Sequence, residues 1–413
     1  MSRRFVAPFT RLFAPALLLL ALTPFGCGTK EGVPLSTAPT DPSVDVAAGP
    51  PREVEEEIAR LRRIAAADDR GVRSHYEGAS TAGKRPIVVP AGSVDALAGA
   101  IAAAGHGGVV ILERGLHTEH STVEIDRRVA IVGETGAVIE SGVTHSNDVP
   151  TILRPAFWIH DAGGVTIWNL TMRPIGSVAG TAILLENAPG TTVGWNSITD
   201  FQYGVILHYA DASTVIGNKV VASPLWQTGE LVDALGVLNM NGARVRIVDN
   251  DMSRGLLNAF CAGANGYYLW NDAHQGFVGM ILCKIPAGSY QLPSGAVVGS
   301  DIPGGNWFVQ GNDGSNNLYA GLLVIDGANK CTVVNNTGSG NGAYDIEMLG
   351  TTCLFGFETP TSFDNKLVVG PHPNLRINDF GQNNRIIGSA VITHDISAPC
   401  AQGTVSARVP FRK

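Results

Sequence analysis

Aromatic side chains make up only 7% of the 413 residues, and charged ones only 16%. A single large core normally draws on many bulky rings, and a largely disordered chain on many charges, so neither description suits. Positive charge is also scarce: 29 basic residues face 36 acidic ones. Without Arg3, Arg4 and Arg11, which fall in a leader-like stretch over 1–26, the body carries 26 against 36. A body of that sign repels phosphate backbones, which excludes nucleic acid as a partner. An acidic polysaccharide would need a local basic patch or a bridging cation. After residue 26 no apolar run is long enough for a membrane-spanning helix. The six cysteines lack the spacing of a zinc site. What is abundant is glycine, 50 residues, set between short Val/Ile/Leu runs. That grammar describes many short strands joined by tight turns.

The N-terminus divides into a basic region, a short apolar run over 14–22, and Thr23-Pro24-Phe25-Gly26-Cys27. The run has the length of a signal-peptide core. A small residue directly before a lone cysteine resembles a lipoprotein-processing site, with Cys27 as the lipidated residue, although Pro24 stands where such sites usually have Leu. An ordinary cleaved signal with an incidental cysteine is the other reading. The expectation is an exported, membrane-anchored envelope protein. Residues 27–52 are rich in Pro, Thr, Ser and Gly and read as a flexible tether. Residues 53–84 begin with a charged helical pattern, with Ile58, Leu61 and Ile64 on one side, and read as a spacer.

From residue 85 to about 395 the pattern changes. Ser93–Gly105 predicts a short helix, with Ser93 placed to cap it and Val94, Leu97 and Ile101 on one face. Short strands ending in asparagine then recur at Asn196, Asn218, Asn250, Asn271, Asn312 and Asn336, with a weaker early copy at Asn169. Clean steps are 22 and 21 residues. Gly204 precedes Asn218 by 14 residues, as Gly236 precedes Asn250. Longer steps contain Pro/Gly-rich stretches such as 284–306, which read as loops bulging from one coil. A period near 22 is the mark of a solenoid. Each coil pairs its strands with neighbours about 4.8 Å away, and no coil hides its apolar face alone. Asparagine tolerates left-handed backbone at sharp turns, and its amide can bond to the copy one coil on. The amides should therefore form a ladder.

The run over 87–140, then FWIHDAGGVTIWNLTMRP and the asparagine-ended repeats, resembles the pectin-lyase-like superfamily. The resemblance covers roughly residues 85–395. It implies an all-β, right-handed single-stranded parallel β-helix with an N-terminal capping α-helix, here Ser93–Gly105, and a C-terminal tail over 396–413. It says little about activity, because the superfamily holds lyases, hydrolases, epimerases, adhesins and inert scaffolds.

Cys261 and Cys283 are 22 residues apart, as are Cys331 and Cys353, one coil each. Stacked positions lie within disulfide range, so bridges 261–283 and 331–353 are expected, with buried reduced thiols as the alternative.

For chemistry, Asp251, Asp272 and Asp313 each follow a ladder asparagine, with Lys219 in the same column one repeat earlier. On adjacent coils Asp251 and Asp272 would stand about 5 Å apart, the spacing of a retaining glycosidase pair and also of half a Ca²⁺ site. Arg254 and His274 lie close enough to supply a base or a substrate-binding charge. Solvated turn acids are the plainer reading. Lys219 and Trp270 are candidate substrate contacts, and no metal ligand set stands out, leaving Ca²⁺ as the one cofactor to consider. Gly105-His106-Gly107 and Pro371-His372-Pro373-Asn374 echo polygalacturonase and epimerase motifs but lack their companions. Three functions follow: a polysaccharide-binding or polysaccharide-cleaving surface protein (a lyase or hydrolase if an enzyme), a non-catalytic structural or adhesive scaffold, and a metal-handling β-helix, which lacks Met/His/Cys clustering. Insertions 222–235, 284–306 and 354–363 discriminate the first two, by walling a groove over Asp251 and Asp272 or leaving it flat.

Overall fold

A computed structural model of the chain describes residues 49–79, 85–300, 302–350, 360–370, 372 and 374–393. Residues 1–48, with Cys27 and most of the tether, lie outside the described residues, as do Cys353, Cys400 and the tail. Short strands from Ile87 to Thr393 wind into three long sheets of 12, 7 and 11 strands, here sheets A, B and C. Every ladder in these three is parallel, and successive coils are neighbours, so the chain is a right-handed parallel β-helix.

The pattern of three-residue strands explains the core. In Thr192–Gly194, Thr214–Ile216 and Arg246–Val248 the middle residue points inward, so Val193, Val215 and Ile247 stack at 0% exposure. In sheet B the inward file is Ile198, Val220, Met252 and Ala273. Flanking positions therefore point outward, as period-two alternation requires.

The asparagines lie at the turn between sheets A and B. Asn196 donates from its side-chain amide to Oδ1 of Asn218 at 2.9 Å, and Asn218 to Asn250 at 3.0 Å. The file continues through Asn271 and Asn312 to Asn336. Each amide also donates to a strand carbonyl of the preceding coil, as Asn250 does to Val215. Left-handed backbone falls one residue before the asparagine, at Trp195, Gly217, Asp249, Trp270, Gly311 and Asn335. The asparagine is thus selected for its amide, and the preceding residue makes the turn. Asn169 adopts the turn conformation itself, and Leu170 occupies its coil's ladder position, giving its backbone N–H to Asn196. Where the turn residue is tryptophan, glycine stands one coil on: a Cβ on Gly217 would lie 2.6 Å from the Trp195 ring, and one on Gly311 2.7 Å from Trp270.

The capping helix α3, Leu97–Ala104, starts later than the sequence predicts. Ser93 bonds to the Pro90 carbonyl instead of capping, and Val94 is exposed. Glu119, 23 residues from Ala96, caps the helix by accepting from the N–H groups of Ala96 and Leu97 at 3.1 and 3.0 Å. Leu97, Ala100, Ile101 and Ala104 close the end of the core.

The spacer is not a spacer. Helices α1 (Arg52–Ala65) and α2 (Asp69–Ala79) pack on the outer face of sheet A. Val54, Ile58, Leu61, Ile64, Val72 and Tyr76 meet an outward apolar file that includes Ile111, Val132, Trp168, Ile216, Val248 and Leu269. Arg62 pins α1 through a two-pronged pair with Asp249 at 2.6 and 2.7 Å. Sheet C is covered too. Its outward Leu184, Ile206, Leu238, Phe260 and Ile281 are buried under insertions 222–235 and 284–306. Within the second, Tyr290–Gln291 pairs with Thr151–Ile152, and Trp226 of the first donates to the Arg254 carbonyl at 2.7 Å.

Cys261 and Cys283 are free buried thiols and not a disulfide. Cys261 stands in register with Leu282, not Cys283. One residue of offset along a strand reverses the side on which a side chain emerges. Cys261 therefore lies in the inner core, and Cys283 lies outside sheet C under the loops. Cys331 is likewise a buried free thiol facing the carbonyls of Gly304 and Asn329.

Candidate functional site

Among the described residues sheets A and C are covered on their outer faces, and the outward face of sheet B is an open polar surface. Its strands from Ser197 to His274 each begin directly after a ladder asparagine, so the residue after the asparagine points out. Lys219, Asp251, Asp272, Asp313 and Thr337 stand in strict register on successive coils. The acids are thus about one strand spacing apart. A second outward file holds Ser253 and His274. His274 Nε2 lies 3.0 Å from Asp251 Oδ1. Desolvation of its inner side pushes the Asp272 carboxyl above the usual range; His274 opposes this, while Asp313 and Asp251 reinforce it. A proton or cation shared among these groups relieves the repulsion. Donor atoms of Asp251, Asp272 and His274 all lie within 4.8 Å of one another. That set could hold one divalent cation, with carboxylates suiting Ca²⁺ and the imidazole favouring a transition metal.

The other predicted residues separate from this group. Lys219 is exposed one coil before Asp251 and makes no ion pair among the described residues. Arg254 turns outward at the corner, at φ 65°, and its guanidinium makes no ion pair with the acids. Trp270 is not a sugar platform: its ring lies on the sheet A side beneath the Arg62 guanidinium, 4.9 Å from the ring centre. The left-handed turn at Trp270 sends its ring to one sheet and Asp272 to the next. Trp195 is engaged as well, against Trp168 at 4.6 Å.

Beyond Asp313 the polar face deepens into a cleft of about 690 Å³ that reaches Arg376. Asp313 accepts a bond from Ser315 at 2.5 Å, and Ser339 presents its hydroxyl 3.3 Å from that of Ser315. Asp345, only 3% exposed, forms the inner wall and accepts from Asn341 Nδ2 at 2.9 Å and from Arg376 N at 2.8 Å. Arg376 Nη2 also donates to the Asn341 carbonyl at 2.6 Å. These residues are missing from the sequence reading. A signal for them exists: Asn317 and Asn341 each follow a ladder asparagine by five residues. They belong to a second amide file, Asn258–Asn317–Asn341, at the corner between sheets B and C.

Insertions 222–235 and 284–306 lie on sheet C and leave Asp251 half-exposed and Asp272 exposed. Residues 351–359 of the third insertion lie outside the described residues.

No family model matches the chain, and no curated protein matches it by sequence. Among solved structures it is similar to PfbA, a surface adhesin of Streptococcus pneumoniae, at 11% identity over 72% of this chain and 77% of that one, with a TM-score of 0.47. It is similar to the periplasmic alginate epimerase AlgG at 12% identity over 75% and 77%, TM-score 0.44. It is also similar to the Dettilon tailspike protein at 16% identity over 74% and 68%, TM-score 0.42. By its own three parallel ladders, the chain is a right-handed parallel β-helix.

Proposed function

We propose that this chain is an exported β-helix protein that binds a polysaccharide along the outer face of sheet B, from Lys219 through the acids into the cleft at Asp345. The observation that carries the reading is continuity: the Asp251–Asp272–Asp313 file opens directly into the cleft, while the faces of sheets A and C are occupied by the chain's own apolar packing. Carboxylates, hydroxyls and amides on a rigid frame suit a hydroxyl-rich chain, each group accepting or donating without rearrangement. A neutral glycan fits the acids directly. A polyuronate fits only with a cation bridging Asp251, Asp272 and His274. The tether and Cys27 supply the expected membrane anchor.

The open face over Asp251 and Asp272 favours binding without cleavage, the adhesive form of the scaffold reading. Catalysis commonly demands that water be excluded from the reacting groups, and among the described residues insertions 222–235 and 284–306 pack on sheet C and leave these two acids open. The test is retention of the mature chain on neutral glycans and polyuronates, with and without Ca²⁺, beside assays for new reducing ends and for unsaturated products absorbing in the ultraviolet. Retention lost in the Asp251→Asn/Asp272→Asn/Asp313→Asn variant supports the site. Retention of no glycan, or equal retention by that variant, removes it.

A further inference from the structure

The molecule is acidic overall, yet one recess is lined by basic groups. It measures about 170 Å³ and lies where the helical hairpin meets the start of sheet A. Its walls come from three distant parts of the chain: Arg60 of α1, His75 and Tyr76 of α2, and Arg128 on the turn before the Val129–Gly133 strand. Thr166 and Thr192, adjacent in the outward file of sheet A, form the floor.

The charges here are only partly spent. Arg60 turns one edge to Glu57, with bonds of 2.8 and 2.7 Å from Nε and Nη2, which leaves Nη1 without a partner among the described residues. Arg128 forms no ion pair or side-chain hydrogen bond among the described residues. Its stem rests on Gly164, where a Cβ would stand 3.6 Å from Nε. Tyr76 is only 7% exposed and its ring packs on Trp168, but its hydroxyl has no hydrogen-bond partner among the described residues. The residue lines the recess, so its hydroxyl can donate to a group bound there. His75, whose pKa is lowered by burial and then by Arg60, is neutral near pH 7 and still donates one N–H.

We propose that this recess between the hairpin and sheet A binds a tetrahedral oxyanion, a phosphate or sulfate group, free or carried as a monoester. The donors are Arg128, the unpaired edge of Arg60, the Tyr76 hydroxyl and the threonine hydroxyls. All are donors to an anion, and two carry fixed positive charge. The space equals about five to six water volumes, enough for the anion and a small substituent. The site is independent of the sheet B face, being built on a different sheet.

The experiment is calorimetric titration of the mature chain with inorganic phosphate and with glucose 6-phosphate, at constant ionic strength against chloride. Saturable one-to-one binding is expected. Arg128→Ala should weaken it roughly tenfold, the loss of one charge-assisted contact. Tyr76→Phe, which keeps the ring packing, should weaken it by roughly fivefold with an unchanged melting temperature. Tighter binding of the sugar phosphate identifies a carried monoester, and equal binding a free ion. Absence of binding by both probes, or binding unaltered in both variants, overturns the proposal.

Discussion

The side-chain amide of Asn218 donates to Oδ1 of Asn250 across 3.0 Å, although 32 residues separate them in sequence. That same oxygen receives the Asn218 backbone N–H at 3.0 Å. One buried oxygen therefore satisfies two donors of the coil before it. In Asn250→Ala the Asn218 backbone N–H loses its acceptor, the Asn218 amide keeps only its bonds to the Val193 and Ile216 carbonyls, and the Val215 carbonyl loses the Asn250 amide. The expected loss is about 3 kcal/mol, measured as the shift in urea midpoint. A change no larger than a surface substitution gives would show that water enters the turn and replaces the amide.

The buried thiols should be inert. Burial raises all three, Cys331 to about 12, so no thiolate forms at neutral pH. In a pulse of iodoacetamide read by peptide mass spectrometry, Cys261, Cys283 and Cys331 should stay unlabelled in the native chain and react fully in urea. Native labelling of Cys261 would contradict the packing described.

Asp233 gives the stability a pH dependence of unusual sign. It is buried in insertion 222–235, where it accepts from Tyr203 and Gln202 at 2.5 and 3.0 Å. Burial lifts its carboxyl to about 6, and these two bonds only partly oppose it. The folded chain thus holds this proton more tightly than the unfolded chain does. Its contribution is complete below the ordinary aspartate value and is lost as pH rises through about 6. Between pH 4 and 7 it amounts to at most about 3 kcal/mol. The stability difference between the native chain and Asp233→Asn, followed by urea unfolding over that range, should therefore fall in favour of the native chain on acidification. A difference independent of pH would mean that Asp233 titrates normally.

The docking of the hairpin rests on its apolar side and much less on its ion pair. Arg62 and Asp249 are both partly exposed, so Arg62→Ala should cost about 1 kcal/mol or less. Ile58 is 1% exposed against sheet A, and Ile58→Asp should detach the hairpin. Limited trypsin digestion is the readout, because Arg60, Arg62 and Arg63 lie in α1. Faster cleavage there is expected, with the β-helix core left intact. Equal rates in the two variants would show that the apolar contact is not what holds α1.

Much of the fold was legible because a solenoid repeats itself. The steps between Asn196, Asn218, Asn250 and Asn271 carry one local rule from coil to coil, and one coil's turn predicts the next. The file of Asp251, Asp272 and Asp313 was legible for the same reason, since a residue fixed relative to the ladder inherits its register. The cysteines show where the argument fails. A spacing of 22 residues looks like one coil, but the coil from 261 onward takes 21, and the single residue of slip separates core from outside. The asparagine at 169 fails by the same one-residue margin.

Sequence alone determined the parallel winding, the amide ladder and the order of acids along sheet B, because each depends on period and on neighbours one coil away. Only the tertiary structure decided that the N-terminal helices lie on sheet A, that the insertions cover sheet C, and that Asp345 and Arg376 close a cleft beyond Asp313. Those contacts join segments outside the repeat, whose apolar faces could have met any exposed sheet. Which one they meet depends on shape and charge that exist only once the coils are stacked.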